Sequence, residues 1–231
     1  IYTLSLHDAL PICIDALAGP SEIFTIADDS ADPRILAADM LAQAEHDIHT
    51  RVGLATTSRD IAERTLVEVE RQLASLPTAA TAGEAWRRQG EIVLCEDEAQ
   101  LIAFADHMAT EHLQVHTRDP HATAAKIRNY GSLFIGQNAS VVFSDKCCGT
   151  NHTLPTMAAA RYTGGLWVGA YVKICTHQWI DEQGIPAIAE PAIRQSRTEG
   201  MQGHRRAAEI RLRPQDIDAI TTGMRDRKSV V

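Results

Sequence analysis

Five short apolar runs recur along this chain, separated by segments of helical periodicity, and no other feature constrains the fold as tightly. Residues 23–27, 52–55, 91–94, 113–116 and 132–135 read as strands. Helical segments are expected at 33–46, 58–76, 98–108 and 120–129. Asp32 before Pro33 supplies an N-cap followed by proline at the first helical position, where a missing N–H costs nothing. Within 58–76, Ile61, Leu66, Val67, Val69, Leu73 and Leu76 keep helical spacing until Pro77 stops the pattern. Strands joined through helices pair in parallel, and each crossover lays a helix on one face of the sheet. The expectation is an α/β fold with a doubly wound sheet and helices on both faces. After Gly164 and Gly165 the pattern changes, and 188–193 and 199–210 read as helices of a small C-terminal lobe. The expected division is an α/β domain over 13–183 and a helical lobe over 184–225.

Both ends read as foreign to that fold. Residues 1–12, IYTLSLHDALPI, are what a common sequencing adapter encodes, and residues 226–231, DRKSVV, translate its complement. They are set aside as adapter artefact. The full chain is 45% hydrophobic and 23% charged in composition, which is enough apolar material for a sizeable core. A net charge of -8 and the lack of a basic stripe argue against a nucleic-acid partner. No apolar run approaches the ~20 residues that cross a bilayer, so no membrane partner is expected. Five cysteines, with no Cys-x-x-Cys pair, suggest neither a disulfide framework nor a thiolate metal site, and a reducing cytoplasm fits that usage.

Several residues could carry chemistry. Gln43 and His46 lie three apart on one expected helix, close enough to share a metal ion, although a histidine on a helix is more often capped or solvated than a ligand. Glu111 and His112 place a carboxyl group beside an imidazole, the side chains best suited to proton transfer near neutral pH. Ser144 and Asp145, then Gly149, Thr150, Asn151, His152, Thr153, Leu154, Pro155 and Thr156, form a polar stretch of the kind that more often serves a site than a fold. Glu199 and His204 stand in the terminal lobe. Cys147 and Cys148 read as small packing residues, and His49, His107, His116, His121 and His177 as surface or supporting groups.

Ala18-Gly19-Pro20-Ser21-Glu22, Gln43-Ala44-Glu45-His46-Asp47, Glu111-His112-Leu113, Gly149-Thr150-Asn151-His152 with Leu154-Pro155-Thr156, and His204-Arg205 occur in the order and at the separations of one family. On these motifs the chain resembles the C-terminal, metal-binding half of the histidinol dehydrogenases, zinc- and NAD-dependent alcohol dehydrogenases. The resemblance implies Gln43, His46, Asp145 and His204 as zinc ligands, with His204 reaching across a homodimer. It implies Glu111 and His112 as the acid–base pair. Substrate contacts are implied for Ser21, His152 and Glu199 and for Gln43, His46, His112, Asp145 and His204. The implied reaction oxidises a primary alcohol through an aldehyde to a carboxylate, with L-histidinol as the default amino-alcohol substrate.

Two features depart from the family pattern. The Gly-x-Gly-x-x-Gly dinucleotide fingerprint is absent, so the incomplete doubly wound (Rossmann-like) sheet is expected to lack its NAD-binding part, which would lie upstream. This chain alone is therefore expected not to turn over NAD+. The stretches from Ser144 to Gly149 and from Ala160 to Gly169 look more like a branch that includes sulfopropanediol 3-dehydrogenases, whose substrate is a diol. Readings of another class are an inactive zinc-binding or dimerisation fragment and a decayed gene product, and the four intact ligand positions speak against the latter.

Overall fold

The computed structural model describes residues 19–222. The segments expected to be adapter-derived, 1–12 and 226–231, and Cys13 lie outside the described residues. The chain divides into two compact units between Lys173 and Ile174.

The first unit is an all-parallel sheet of β1 (Glu22–Ala27), β2 (Arg51–Thr56), β3 (Gly90–Leu94), β4 (His112–His116) and β5 (Ser132–Ile135) in the order β3-β2-β1-β4-β5. Strand order reverses between β1 and β4, which is the doubly wound topology expected from the alternation. β1 is buried along its whole length because both of its faces are covered. One face carries α1 (Pro33–Ala44), α2 (Arg59–Leu73) and α3 (Ala79–Gln89), whose Leu36, Met40, Ile61, Val69 and Ala82 pack on Ile23, Val52 and Leu54. The other carries α4 (Glu98–Met108), whose Leu101 and Ala105 pack on Phe24, Ile26, Leu113 and Val115. Each such aliphatic side chain removed from water stabilises the fold by roughly 1.5–3 kcal/mol.

Helix starts follow their caps. Asp32, Ser58 and Asp97 accept from the N–H groups of Arg34, Ile61 and Gln100 at 2.9, 3.3 and 2.8 Å. Ends differ from expectation where a side chain captures the backbone. α1 stops at Ala44, and His46 follows on a turn in which its N–H donates to the Gln43 carbonyl at 3.1 Å. The helix expected over 120–129 is only α5 (Pro120–Ala124), and beyond it the Asp106 carboxylate accepts from Arg128 and Asn129 N–H at 2.7 and 3.0 Å. Ser144 and Asp145 stand on α6 (Val141–Lys146) rather than in a loop.

The second unit holds α7 (Ile185–Thr198), α8 (Gln202–Leu212) and α9 (Ile217–Thr222). The helix expected to open at 199 opens at Gln202. Glu199 instead caps the end of α7, and Gly200 turns the chain at φ +72°.

Candidate active site

The amino ends of β1 and β4 bring three of the five motifs together. The β1–β4 ladder begins with Ile23 paired to His112, and one position earlier Glu22 and Glu111 continue it with their side chains. The Glu22 N–H donates to Glu111 Oε2 at 2.8 Å, and the Glu111 N–H donates to Glu22 Oε2 at 3.4 Å. The hydroxyl of Thr110 also donates to Glu22 Oε2, at 3.5 Å. Glu22, Glu111 and His112 are all buried. The polar stretch closes on this pair: Met157 N–H donates to Glu22 Oε1 at 3.0 Å, and Gly19 N–H donates to the Thr156 hydroxyl at 3.1 Å. Gly131 admits no side chain, because a Cβ there would lie 2.6 Å from the Glu111 carbonyl oxygen and 3.1 Å from Pro155.

His112 is held in one tautomer. Its Nδ1–H donates to the Glu22 carbonyl at 2.9 Å and lies 3.4 Å from Glu111 Oε2. With the proton placed there, Nε2 of the neutral ring is left with the lone pair a general base needs. Burial works against the charged ring, but the Glu111 carboxylate, the Glu22 carbonyl and the Asp145 carboxylate outweigh it and raise the pKa above the ordinary 6.5. Phe134 stands against the ring with centroids 5.9 Å apart.

The implied metal ligands stand as follows. Gln43 is buried on α1 with its amide nitrogen unpaired. This NH2 group can only donate, so it is open to an acceptor and not to a cation. His46 is exposed, and Asp145 is half-buried. His204 is exposed on α8 in the second unit. Among the described residues no group of three or more His, Cys, Asp or Glu is gathered closely enough to hold a metal ion. Of the implied substrate contacts, Ser21 is half-buried beside Glu22, His152 is exposed, and Glu199 is exposed with its carboxylate accepting from Gln195 at 3.0 Å.

Two expectations need correction. Cys147 and Cys148 are exposed rather than packed, because α6 ends at Lys146 and the chain turns outward. His116 is fully buried, because its place on β4 points it inward with Gln114 and His112. Neither ring nitrogen of His116 has a hydrogen-bond partner.

Glu22 is the site residue that residue-by-residue reading missed as a functional group. Its signal was a lone charge opening an otherwise uncharged strand, Glu-Ile-Phe-Thr-Ile-Ala. A cavity of about 500 Å3 opens beside it, lined by Pro20, His49, Arg51, Gln89, Met157 and Ala158. A second cavity, about 280 Å3, lies at the carboxyl ends of the strands and is lined by Asp28, Asp97, Glu98 and Asp119 among others. The latter is the switch point at which doubly wound sheets ordinarily hold a nucleotide, and here it is acidic.

The model of the family described as histidinol dehydrogenase matches residues 7–212. The chain is 49% identical over 201 residues to "Histidinol dehydrogenase homolog 1" of Mesorhizobium japonicum, covering 87% of this chain and 40% of that protein. It is 42% identical to the "Sulfopropanediol 3-dehydrogenase" of Ruegeria pomeroyi, covering 86% of this chain and 46% of that protein. Among solved structures it superposes on the histidinol dehydrogenase of Elizabethkingia anophelis with a TM-score of 0.81 at 36% identity, over 87% of this chain and 46% of that one. It thus spans less than half the length of these relatives. Dehydrogenases of this kind are oxidoreductases acting on CH–OH groups. A matched family model over most of the chain, a superposable fold and a buried Glu–His pair on that fold agree: the chain belongs to the histidinol dehydrogenase family.

Proposed function

We propose that this chain supplies the acid–base and metal-binding half of an NAD-dependent enzyme that oxidises a primary alcohol through its aldehyde to a carboxylate, with L-histidinol as substrate and L-histidine as product. The single observation that carries this reading is the buried Glu111–His112 pair with His112 Nδ1 tied to the Glu22 carbonyl. His112 Nε2 takes the hydroxyl proton as the carbinol carbon gives up hydride to NAD+. Glu111 then accepts a proton from the water that attacks the aldehyde while protonated His112 returns its proton to the carbonyl oxygen, giving the gem-diol and a neutral His112; the proton on Glu111 passes to solvent. His112 serves again as base when the hydrate loses its hydride, leaving the carboxylate. Ser21, His152 and Glu199 contact the substrate, and keeping the aldehyde bound between the oxidations avoids releasing a reactive species.

Gln43, His46, Asp145 and His204 would hold a zinc ion. This donor set is nitrogen and oxygen without thiolate, with Gln43 entering through its carboxamide oxygen, which suits a catalytic zinc that keeps room for substrate. When bound, the ion supplies orientation and polarisation of the substrate oxygen. His204 reaches the partner's site in a homodimer. That reading follows from the family resemblance carried by His204 and Arg205. The nucleotide is held by sequence outside this chain, in keeping with the acidic switch point and the share of the relatives it spans. A reducing cytoplasm is the compartment we assign, supported by the free state of Cys95, Cys147, Cys148 and Cys175. No helix among the described residues is long and apolar enough to cross a membrane.

The test uses a whole enzyme in which residues 19–212 replace the matching segment of the Mesorhizobium japonicum relative. With Glu111→Gln, the first hydride transfer from L-histidinol persists in single-turnover stopped flow while the second slows by about 10²-fold or more. Equal loss of both would remove Glu111 from the hydration step.

The sulfopropanediol reading is kept because of the 42% identical relative of that name and the likeness at Ser144 to Gly149. Retention of His152 and Glu199 favours the amino-alcohol. A higher kcat/KM for sulfopropanediol than for L-histidinol would reverse the choice.

A further inference from the structure

We propose that Glu22 is the positioning residue of this site, holding Glu111, the tautomer of His112 and the turn at Met157 in one arrangement; this rests on the reading of Glu111 and His112 as the acid–base pair. Both of its oxygens are spent on the protein. Oε1 accepts from Met157 N–H at 3.0 Å, and Oε2 accepts from Glu111 N–H at 3.4 Å and Thr110 Oγ1 at 3.5 Å. A carboxylate this buried persists only if donors surround it, and here they all come from the segments that carry the site. Glu22 lines the 500 Å3 cavity, yet its occupied oxygens make it a strut rather than a group awaiting ligand.

The main chain of the same residue does the rest. Its N–H fixes Glu111 Oε2 at 2.8 Å, and its carbonyl takes the Nδ1–H of His112 at 2.9 Å. A carbonyl can only accept, so it admits no tautomer with an unprotonated Nδ1 and keeps Nε2 available as the base. The side-chain bond to Met157 matters for a separate reason. Met157 and Ala158 sit at φ +56° and +62°, a left-handed conformation unfavourable to side-chain-bearing residues. The tether to Glu22 helps hold that turn, and with it the polar segment that precedes it.

Glu22→Gln keeps the shape but turns an NH2 group toward donors. One of the Met157 and Glu111 N–H groups then loses its acceptor. The experiment is ¹⁵N NMR of the full 231-residue chain, reading imidazole tautomers and amide exchange. In the unmodified chain, at a pH above the His112 titration where the ring is neutral, we expect the proton on Nδ1 alone, and protected amides at Glu111 and Met157. In Glu22→Gln we expect exchange at one or both of those amides to rise about tenfold or more, while the His112 tautomer, set by the main-chain carbonyl that the variant keeps, and the amide protection of β2 and β3 are unchanged. An Nε2–H tautomer, or unprotected Glu111 and Met157 amides, in the unmodified chain would overturn the proposal whether or not the variant folds. So would a folded variant whose Glu111 and Met157 amides keep their protection. Neither readout needs substrate, zinc or NAD, so a lack of dehydrogenase activity would count against the functional reading and leave this inference intact.

Discussion

At the scale of the residue, the account turns on the charge of one imidazole. A general base must be neutral to accept a proton, and His112 holds its proton to a pH above 6.5 because Glu111, the Glu22 carbonyl and Asp145 together outweigh the effect of its burial. The rate of alcohol oxidation by the joined enzyme is therefore expected to climb with pH through a value above 6.5, measured as kcat/KM across about pH 5.5 to 9.5. His112→Asn should lower kcat by about 10²- to 10⁴-fold and abolish that limb. A limb at or below 6.5 would mean that the neutral ring, not the charged one, is favoured in the free enzyme. The pair itself was legible in the sequence, because Glu and His stand side by side and the surrounding motifs set them in a family. The support beneath the pair was not. Glu22 meets Glu111 only because β1 and β4 are neighbours, 89 positions apart in the chain, and residue types alone do not report strand order. Nor could local pattern place His116 inside, since Leu-Gln-Val-His reads equally well as a strand with one solvated face.

At the scale of the element, the face shared by β4 and α1 carries a buried polar row. Thr25 donates to Gln114 Oε1 at 2.9 Å, and Gln114 donates to Asp39 Oδ2 at 2.8 Å. The Ser140 hydroxyl donates to Asp39 Oδ1, also at 2.8 Å. His116 lies on the same face of β4 with no hydrogen-bond partner, and burial lowers its pKa below 6.5 even though Asp39 pulls the other way. The folded state therefore keeps His116 neutral while the unfolded chain takes up a proton below 6.5. Its contribution is fully present above that pH and is lost as the pH falls. The urea midpoint of the chain should drop between about pH 7.5 and 5, and His116→Leu should flatten the drop. An equal drop in the variant would assign it to other groups. Element existence was readable wherever large apolar residues marked the period, as in α2 and α4. α3 escaped because its buried face is made of Ala82 and Ala85, which bury well but stand out little from a polar background. It forms on alanine's propensity and the ion pairs of Glu84 with Arg87 and Arg88.

At the scale of the whole molecule, the doubly wound sheet places the acid–base pair at the amino ends of its strands and leaves its switch point acidic. On the proposed function, the nucleotide and the alcohol would meet on a surface completed by other sequence; the chain spans 40% of the Mesorhizobium japonicum relative and 46% of the Elizabethkingia anophelis one. The same logic applies to the metal. His204 belongs to a different compact unit from Gln43, His46 and Asp145, and its contribution is assigned across a dimer. His204→Ala is expected to lower zinc content by mass spectrometry of the native protein and to weaken dimerisation in sedimentation velocity; unchanged zinc would remove it from the ligand set. The role of His204 in a partner's site is implied by the family motifs alone, because no local pattern tells which subunit a side chain will serve. The most direct test of the central claim is NADH yield from L-histidinol in the joined enzyme built on the Mesorhizobium japonicum relative. The account predicts two NADH released per alcohol consumed, with L-histidine as product and turnover lowered by about 10²- to 10⁴-fold once His112 is Asn. One NADH per alcohol with free aldehyde, or turnover undiminished in His112→Asn, would contradict it.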